Sequence, residues 1–525
     1  MISEILIFLL TTVLTYYLYV YKKIHWHFDK NGVKYLPGWP IFGNIIKNTF
    51  MKRHLIEEID EVYRAFPDER YVGYIETTTP ILLIRDPEII KNITVKDFDH
   101  FLNHKELFTA ENENGLLGSS LFMMKGDRWR DMRTTLSPAF TGSKMRAMMP
   151  FMMEISKNIV EYLKDKTSKD FLVDDLIRRY TSDVIASAGF GLQVNSLVDK
   201  DNQFYRTGQT LFDFTLWQRC CFFLTALFPS LTERFSLEVF PGKTTQFFRD
   251  IVTKTMAYRI QNNVERPDMI QLLLEATRGN LKSNQENEEK DIGFAATEEV
   301  LKHQGNVRKW KENELAAQVF LFFAAGFEST AATLVMCIHE LALNPEVEEK
   351  LYQEVKEFKK IKKELTYENI GDLKYLDCVL NEVSRKWSIA ILLDRVCNRP
   401  YVLPPPRDGG KPYMIKPGEV VYNVVNSIHM DPKYYPDPEK FDPDRFSDEN
   451  KRNIKPFTFM PFGSGPRNCI GSRFAILELK VLLYNLILNY KVVKSEKTTA
   501  RIKLVARDFN LKAVGGTWVI FEPRF

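Results

Sequence analysis

The chain has 525 residues, of which 45% are hydrophobic, 13% aromatic and 27% charged, a composition that excludes the disordered and fibrous classes of protein. Its 72 Lys and Arg against 68 Asp and Glu leave a net charge of +4, too close to balance to indicate nucleic acid as a partner. Six cysteines without CxxC spacing exclude a disulfide scaffold and argue against a zinc cluster, so most of these thiols are predicted to be buried apolar groups.

The first predicted element is an apolar segment, residues 5–21, which approaches the ~20 residues that a membrane-spanning helix needs. Tyrosines crowd its C-terminal end, Lys22 and Lys23 close it, and Glu4 precedes it, which predicts a cytosolic location for the rest of the chain. A cleaved signal peptide is the alternative, but the basic start and small cleavage residues that it needs are missing. We therefore predict a single-pass anchor over residues 1–23 and a Pro/Gly linker over residues 24–44.

The remaining elements are mostly helical. Short strands are predicted over residues 71–75 and 81–84, and residues 125–344 follow a largely helical pattern that a polar segment, residues 283–290, interrupts as a mobile loop. From Tyr401 onwards the pattern is loops with short strands, followed by an apolar helix over residues 474–490 and a last strand. The sequence thus predicts one mainly α catalytic domain with small β-sheets over residues 45–525.

The most specific motif is PFGSGPRNCIG, residues 461–471. Glycines 463, 465 and 471 permit close backbone approach and positive φ around the single thiol of Cys469. Arg467 and the N-terminus of the helix that follows would favour a thiolate, and Phe462 could shield the sulfur from water. Because no histidine lies near Cys469 in sequence to serve as a base, an axial metal ligand fits this thiol better than a nucleophile does.

This motif resembles the haem-binding loop of the cytochrome P-450 monooxygenases, with Phe462, Gly465, Arg467, Cys469 and Gly471 at the positions that the family fixes. The resemblance implies that Cys469 is the axial ligand of a haem iron and that Phe462, Arg467 and Gly471 bind the cofactor. It extends from the Pro/Gly linker to the C-terminal residues 515–518. The runs at residues 135–146 and 183–196 look like the insect microsomal branch of the family.

A second motif, Glu382-Val383-Ser384-Arg385, places an acid and a base on one helix face. Read alone, such a pair is most often a solvated surface contact. It matches the buried Glu-x-x-Arg pair of the family, and Arg445 in PDRF matches the third partner, although Asp444 stands where the family has Glu. The resemblance implies a structural role for Glu382, Arg385 and Arg445 behind the haem.

A long helix is predicted over residues 314–343, with Ala325 and Gly326 small enough for a flat group to lie against it. Read alone, this segment could equally be a kink or a helix-packing site. In the family it crosses the oxygen side of the haem, where an acid and a hydroxyl relay protons. Here a serine stands at the usual threonine position and lacks the methyl group that restricts χ1. The implied catalytic residues are Glu328, Ser329 and Thr330.

The two propionates of a haem need cations and hydrogen-bond donors. Trp129 and Arg133, four residues apart on one helix face, match the Trp-Arg-x-x-Arg motif of the family, and Arg395 matches a further propionate arginine. Arg467 would be the third cation. For Arg130, on the same helix as Trp129, we predict an exposed charge.

The resemblance also implies the reaction and its requirements. Haem b, O2 and electrons from NADPH, passed through a membrane-bound flavoprotein reductase and cytochrome b5, would insert one oxygen atom into a lipophilic substrate. The implied location is the endoplasmic reticulum membrane, with the catalytic domain cytosolic. The chain itself has no GxGxxG after a predicted strand and no flavin or nicotinamide domain. The predicted substrate pocket includes Leu116, Phe122, Phe212, Trp217, Phe327 and Leu392.

Several readings stay open at this point. Xenobiotics such as plant toxins or insecticides are the predicted substrates, and an endogenous lipid or hormone is the alternative. A haem-thiolate isomerase or dehydratase would need no reductase, and a haem carrier or sensor would tolerate loss of the proton relay. Six basic residues could form a reductase docking face or be solvated surface charges. They are Lys125, Arg128, Lys144, Lys451, Arg452 and Lys455.

Overall fold

The computed structural model describes residues 2–106, 115–212, 215–228, 234–235, 242–277 and 310–525. The mobile loop predicted at residues 283–290 lies outside these ranges. In chain order, helices α1 to α16 of the described ranges are Ile2–Lys30, Ile46–Thr49, Leu55–Arg64, Pro87–Lys91, Gly126–Leu136, Gly142–Leu163, Val173–Phe190, Gln203–Gln209, Leu216–Leu227, Gly242–Asn262, Met269–Thr277, Glu312–Leu343, Pro345–Lys362, Lys374–Lys386, Val425–His429 and Ser472–Asn489. Strands β1 to β9 are Tyr71–Glu76, Thr79–Ile84, Asp170–Leu172, Leu393–Val396, Tyr401–Leu403, Tyr413–Ile415, Val420–Asn423, Tyr490–Lys494 and Trp518–Pro523.

The strands form small sheets, as the sequence predicts. The largest has the order β1-β2-β7-β4, in which β2 and β7 run parallel and the other neighbours run antiparallel. A second sheet has the order β3-β9-β8, and β5 pairs with β6. Within the first sheet Arg395 of β4 pairs with Val421 of β7, and it is the one buried residue of β4. The predicted class, mainly α with small β-sheets, is confirmed.

Helix α12 is the centre of the larger of two hydrophobic cores. It packs most extensively against α7, and α6, α14 and α16 contribute to the same core. The second core lies around the β1-β2-β7-β4 sheet. Among the described residues α12 is the one helix long and apolar enough to cross a bilayer, so α1, the predicted membrane span, does not meet this criterion. Of the apolar window of α12, 67% is buried inside the protein. Burial of this kind identifies α12 as a core helix.

Helix α1 differs from the prediction, because it continues to Lys30 and residues 24–30 are helical instead of belonging to a Pro/Gly linker. The reason is packing. Ile24 and Phe28, four residues apart, are 6% and 0% exposed in the second core. The Phe28 ring lies so close to Gly73 of β1 that a Cβ atom there would be 2.7 Å from it. The helix is followed by Gly32 with a φ of +65°, a conformation that favours glycine.

Candidate active site

Cys469 lies in a tightly folded loop just before α16. Its N–H donates to the carbonyl of Phe462 over 2.8 Å, which turns the chain back on itself. Gly463 and Gly465 have φ values of +76° and +72°. A Cβ atom on Gly465 would lie 1.8 Å from the carbonyl oxygen of Thr94, so this position requires glycine for space as well as for φ.

Gly471 behaves differently from the two earlier glycines. Its φ is −92°, so the predicted positive φ at this residue is wrong. Its N–H instead donates a hydrogen bond to the sulfur of Cys469. The glycine therefore acts on the thiol through its backbone, which any residue other than proline would retain.

The electrostatics of Cys469 also differ from the prediction. Burial raises the pKa of the Cys469 thiol, and the Gly471 N–H and the Arg133 guanidinium offset that rise only in part. Arg133, and not the predicted Arg467, is therefore the arginine that acts on the sulfur. By surface accessibility, however, Cys469 is exposed, so its sulfur is shielded by the surrounding protein but can still be reached by a small molecule. A stable thiolate here needs a directly bound cation such as a metal ion.

The guanidinium of Arg467 stands next to this loop. It donates to the carbonyls of Leu102 and Met124 over 3.0 and 2.7 Å, and it lies 4.1 Å from the centroid of the Trp129 ring. Burial lowers the pKa of Arg467 well below its usual value, and the nearby charges of Arg395 and Arg133 lower it further. The predicted residues Trp129, Arg133, Arg395 and Arg467 thus lie in one region.

Arg133 and Arg395 complete this positive region. Arg133 donates to the backbone and side-chain oxygens of Asn468 over 2.9 and 2.7 Å. Arg395 is 1% exposed, donates to the carbonyl of Asp394 over 2.7 Å, and has no partner for its Nε atom within the part of the chain that the structure describes. Burial lowers the pKa of Arg395. Three buried guanidiniums close together are a site for an anion with more than one negative charge.

Helix α12 presents an open face although it is a core helix. Leu321 and Ser329 are partly exposed and Ala325 is exposed, and their spacing of four places them on one stripe. Gly326 does not belong to this stripe as predicted, because a Cβ atom there would lie 2.7 Å from Cδ1 of Ile185. The glycine instead allows close packing with α7. The Ser329 hydroxyl donates back to the carbonyl of Ala325.

Two partners of the predicted catalytic residues were missed by sequence reasoning. Arg178 of α7 donates to both carboxylate oxygens of Glu328, over 3.1 and 2.6 Å. Thr330 is 3% exposed and lies beside the carboxyl of Glu478 in α16, whose two oxygens are buried without a hydrogen-bond partner among the described residues. Burial raises the pKa of Glu478 well above its usual value. Thr330 and Ser329 therefore face different sides of α12.

The predicted structural triad is brought together. The carboxylate of Glu382 accepts two bonds from Arg385, over 2.7 and 2.8 Å, and both side chains are fully buried. Arg445 lies 3.6 Å from the same carboxylate, and the backbone N–H of Asp442 donates to it over 2.9 Å. A buried carboxylate with this number of donors is fully satisfied.

Comparison with known proteins decides what this site belongs to. The family model described as Cytochrome P450 matches residues 33–513. The chain belongs to the cytochrome P450 family. It is 41% identical over 509 residues to the probable cytochrome P450 9f2 of Drosophila melanogaster, covering 95% of each chain. It is 40% identical to cytochrome P450 9e2 of Blattella germanica, covering 95% of this chain and 94% of that protein.

A relative from another group is cytochrome P450 6k1 of Blattella germanica, with 33% identity over 99% of this chain and 97% of that protein. The recognition of the family from the Cys469 loop is therefore confirmed. The protein is a haem-thiolate monooxygenase, the enzyme class of the family.

The residues of this P450 fit the haem that its family uses. Cys469 offers one free and accessible sulfur donor. Arg395 holds a buried Nε without a partner among the described residues, beside two further guanidiniums that suit two propionates. The exposed Ala325 on an otherwise buried helix leaves room for a flat ring. Donor chemistry, charge and space therefore agree.

The predicted pocket residues of the P450 do not all lie together. Phe327 is fully buried, stacks on Phe323 with 5.2 Å between ring centroids, and lies 5.7 Å from Phe212. Leu116 is 1% exposed, and Leu392 is half-buried against the second core. Trp217 is 62% exposed on α9. The structure thus pairs Phe212 with Phe327 and leaves Trp217 on the surface.

The loop that carries Leu116 and Phe122 is attached to α12 through its backbone. Gln318, which sequence reasoning also missed, accepts from the N–H of Leu121 over 2.7 Å and donates to the carbonyl of Ser119 over 2.9 Å. The Gln318 side chain is fully buried. It holds the loop beside the open stripe of α12.

Half of the six basic residues predicted to dock a reductase carry acidic partners. These ion pairs are Lys125 with Glu106, Arg128 with Glu314, and Lys451 with Asp448. Arg452 and Lys455 are exposed and Lys144 is partly exposed. Arg130 pairs with Asp99 at the surface, as predicted.

Among the thiols, Cys221, Cys337, Cys378 and Cys397 are buried as predicted, and Cys220 is exposed on α9.

Proposed function

We propose that this P450 uses haem b, with electrons from NADPH through a flavoprotein reductase, to insert one oxygen atom of O2 into lipophilic small molecules. The observation that carries the proposal is the Glu328–Ser329 pair on α12. The carboxylate of Glu328 is fixed by Arg178, and the hydroxyl of Ser329 lies on the open stripe of α12. A haem-thiolate isomerase or dehydratase needs no delivery of protons to oxygen, and a carrier or sensor needs none either.

The cofactor roles follow from the contacts. Cys469 would hold the haem iron through its sulfur, and the haem, when bound, would supply the activation of oxygen. The Gly471 N–H donates to the sulfur, and the role proposed for Phe462, whose carbonyl accepts from the Cys469 N–H, is to bind the cofactor beside that sulfur. The propionate-binding residues are Trp129, Arg133, Arg395 and Arg467.

The proton-handling roles are distributed along α12. Glu328 exchanges protons beside the open stripe, and Ser329 passes them on through a hydroxyl that can donate and accept. Thr330 supports them from behind through its contact with Glu478. Glu382, Arg385 and Arg445 hold the structure behind the cofactor, since their charges are satisfied within the protein.

The proposed substrates are xenobiotics such as plant toxins or insecticides, with an endogenous lipid or hormone as the second candidate. Apolar and aromatic residues on or near α12, namely Leu116, Phe122, Phe212 and Phe327, support a lipophilic substrate, and Leu392, packed against the second core, is the remaining proposed pocket residue. Trp217, at the surface, would contact a substrate during entry.

We also propose that residues 1–23 anchor the enzyme in the endoplasmic reticulum membrane with the catalytic domain, residues 45–525, in the cytosol. Exposed apolar side chains along α1 support a lipid contact, for example Phe8 at 71%, Leu10 at 73% and Val13 at 64%. Residues 24–44 then connect anchor and domain, with their first turns continuing the helix.

The proposed electron donors are the flavoprotein reductase and cytochrome b5. Their docking would use the exposed basic residues Arg452 and Lys455, together with Lys144. Lys125, Arg128 and Lys451 would have to exchange their present acidic partners for those of the donor protein.

One experiment tests this function. The full-length protein, expressed in microsomes, is reduced under CO and its Soret band is recorded; then turnover of a lipophilic probe is followed with NADPH, with and without the reductase. We expect the thiolate-type Soret band and product that depends on reductase, and neither for Cys469→Ser. A protein without that band would refute the site, and a band without reductase-dependent product would favour an isomerase or carrier.

A further inference from the structure

His104 and Asp394 form a pair beside the three arginines that the proposed function does not use. The Nδ1 atom of His104 lies 2.9 Å from a carboxylate oxygen of Asp394, and its ring stacks on Phe122 with centroids 4.7 Å apart. The side chain of His104 is 11% exposed. Contacts on one ring nitrogen and one ring face fix the imidazole in its orientation.

The state of Asp394 determines which atom of this pair donates. Burial would raise the pKa of Asp394, but His104, the Lys105 N–H and Arg395 outweigh it and hold the pKa at about 2. The carboxylate is therefore ionised at neutral pH and can only accept hydrogen bonds. It follows that Nδ1 of His104 carries a proton and donates it to Asp394. The remaining nitrogen, Nε2, is an acceptor in the neutral ring and a donor in the charged ring.

The position of His104 is set by the same arginines that form the positive region. Arg467 donates to the carbonyl of Leu102, two residues earlier in the chain, and Asp394 directly precedes Arg395. The charged groups that act on the imidazole are Asp394, Arg395 and Arg467, whereas neighbouring Lys105 is paired with Glu76. His104 thus lies at the edge of the anion site.

In the protein alone the balance of charge keeps His104 neutral. Burial lowers the pKa of His104, and Arg395 and Arg467 lower it further against the opposing effect of Asp394. A ligand with two carboxylates would reverse this balance, because its negative charges offset the arginines and favour an imidazolium. A charged ring would then offer Nε2–H as a further donor.

We infer that His104 is a further contact for a haem propionate, and that propionate binding takes up one proton from solvent at Nε2 while Nδ1–H stays on Asp394. The inference rests on the proposed haem site. It adds a proton-linked residue to the four fixed propionate-binding residues. Reduction adds one electron to the haem, and the added negative charge favours the protonated imidazole of His104. Reduction of the haem and protonation of His104 are therefore coupled.

The test uses the full-length holoenzyme and follows the haem reduction potential by spectroelectrochemistry between pH 5.5 and 8.5. For the wild type we expect a potential that falls as pH rises. His104→Gln removes the titrating group and should flatten this dependence. His104→Arg keeps a permanent cation and should flatten it as well. His27→Gln is the matched control, because His27 also lies near a carboxylate, Glu419, but none of the three arginines is among the groups that act on its pKa, and it should keep the wild-type slope.

A second readout is transfer of haem to an acceptor such as apomyoglobin. His104→Gln should lose haem about tenfold faster than the wild type, because a hydrogen bond between charged groups is removed, and His104→Arg should lose it at close to the wild-type rate. A wild-type potential independent of pH, or a His104→Gln variant with wild-type slope and haem loss, would overturn the inference. Should His104→Gln bind no haem, the slope of His104→Arg decides. The potentials and haem-loss rates are measured only on protein that shows the thiolate-type Soret band. Failure of this inference is therefore distinguishable from failure of the proposed function.

Discussion

Arg178 of α7 holds the carboxylate of Glu328 on α12 through two nitrogen atoms, Nη2 at 2.6 Å and Nε at 3.1 Å. The side chains of Arg178 and Glu328 are only 19% and 6% exposed. A two-point contact of this kind fixes the direction of the carboxylate as well as its charge. The acid next to Ser329 is thus held by a residue 150 positions earlier in the chain.

Removing the guanidinium should therefore leave a buried, unpaired carboxylate. We expect Arg178→Met to lower the free energy of unfolding by about 3 kcal/mol, measured by denaturant titration of the holoenzyme. The double variant Arg178→Met/Glu328→Gln should recover most of the loss, because no charge is then left unpaired. Arg146→Met breaks the surface pair with Glu368 and serves as the control, with a change below ~1 kcal/mol. Equal losses in both single variants would contradict the structure.

The two glycines that flank Cys469 should respond differently to an added methyl group. Gly465→Ala introduces a Cβ atom 1.8 Å from the Thr94 carbonyl at a φ of +72°, so we expect a variant that folds poorly and incorporates little haem. Gly471→Ala places its Cβ atom at an ordinary 3.7 Å from Phe140 at a φ of −92° and retains the N–H. Its haem content, measured per mole of purified protein, should stay close to that of the wild type. Comparable haem loss in both variants would show that Gly471 acts through something other than its backbone.

Within the Glu382 triad the two arginines should contribute unequally. Arg385→Met removes both short bonds to the carboxylate and leaves it buried, which should lower the free energy of unfolding by about 4 kcal/mol. Arg445→Met removes a contact of 3.6 Å at a side chain that is 14% exposed, and Glu382 keeps its bonds to Arg385. Its effect should be smaller by half or more. Thermal unfolding of the two variants side by side measures the difference, and the reverse order would be incompatible with these distances.

Ser329 and Thr330 should separate in function because they face different sides of α12. Ser329→Ala should lower product formed per NADPH by about tenfold with little change in stability, because it removes a positioned hydroxyl from the open stripe. Ser329→Thr adds the methyl group that restricts χ1 and should raise coupling above that of the wild type. Thr330→Val lies beside Glu478 and should affect stability more than coupling. Unchanged coupling in Ser329→Ala would exclude the relay role.

Asp183 of α7 should make stability depend on pH. It is 3% exposed and accepts from the Ser196 N–H over 2.9 Å, and burial raises its pKa from 3.8 to about 7. Between these values the unfolded chain releases the proton while the folded protein keeps it, so the free energy of unfolding falls as pH rises. Between the pKa of the unfolded chain, 3.8, and that of the folded protein, about 7, the free energy of unfolding falls by roughly 4 kcal/mol. Below pH 3.8 Asp183 is protonated in both states and causes no loss.

The comparison is denaturant unfolding of wild type and Asp183→Asn at pH 5, 6, 7 and 8. Asparagine does not ionise, so the free energy of unfolding of Asp183→Asn should increase relative to that of the wild type as pH rises. Asp201→Asn, at an exposed carboxylate paired with Arg206, is the control and should give a constant difference. Parallel curves for wild type and Asp183→Asn would show that Asp183 ionises equally in both states.

Local spacing was enough to predict much of this site. Trp129 and Arg133 lie one helical turn apart, and so do Glu382 and Arg385. The relative position of each pair therefore follows from a few residues of sequence. The Cys469 loop carries its own glycines and its own helix N-terminus. The backbone conformation of each glycine was less predictable, because glycine permits a positive φ without requiring it. Gly471, with a φ of −92°, is an example.

The missed residues depend on the packing of distant elements. Nothing near Arg178 in sequence indicates that α7 lies against α12 at Glu328, and Glu478 reaches Thr330 only because α16 joins the same core. The extension of α1 did have a local signal. Ile24 and Phe28 are four residues apart, which is the spacing of a buried helix stripe, but the prolines and glycines further on outweighed it in the prediction.

Both hydrogen bonds by which Gln318 attaches this loop to α12 go to peptide groups, those of Leu121 and Ser119, so these two bonds do not depend on which side chains the loop carries. Phe122, which is 39% exposed, can be exchanged for a smaller, larger or more polar residue while the two hydrogen bonds persist, whereas Leu116 is buried in the larger core. Under the proposed function, a substitution of Phe122 is therefore expected to change which molecules the enzyme accepts while the loop keeps its attachment to α12. The attachment of the loop and the proposed choice of substrate thus depend on different residues, so one can change during evolution while the other is kept.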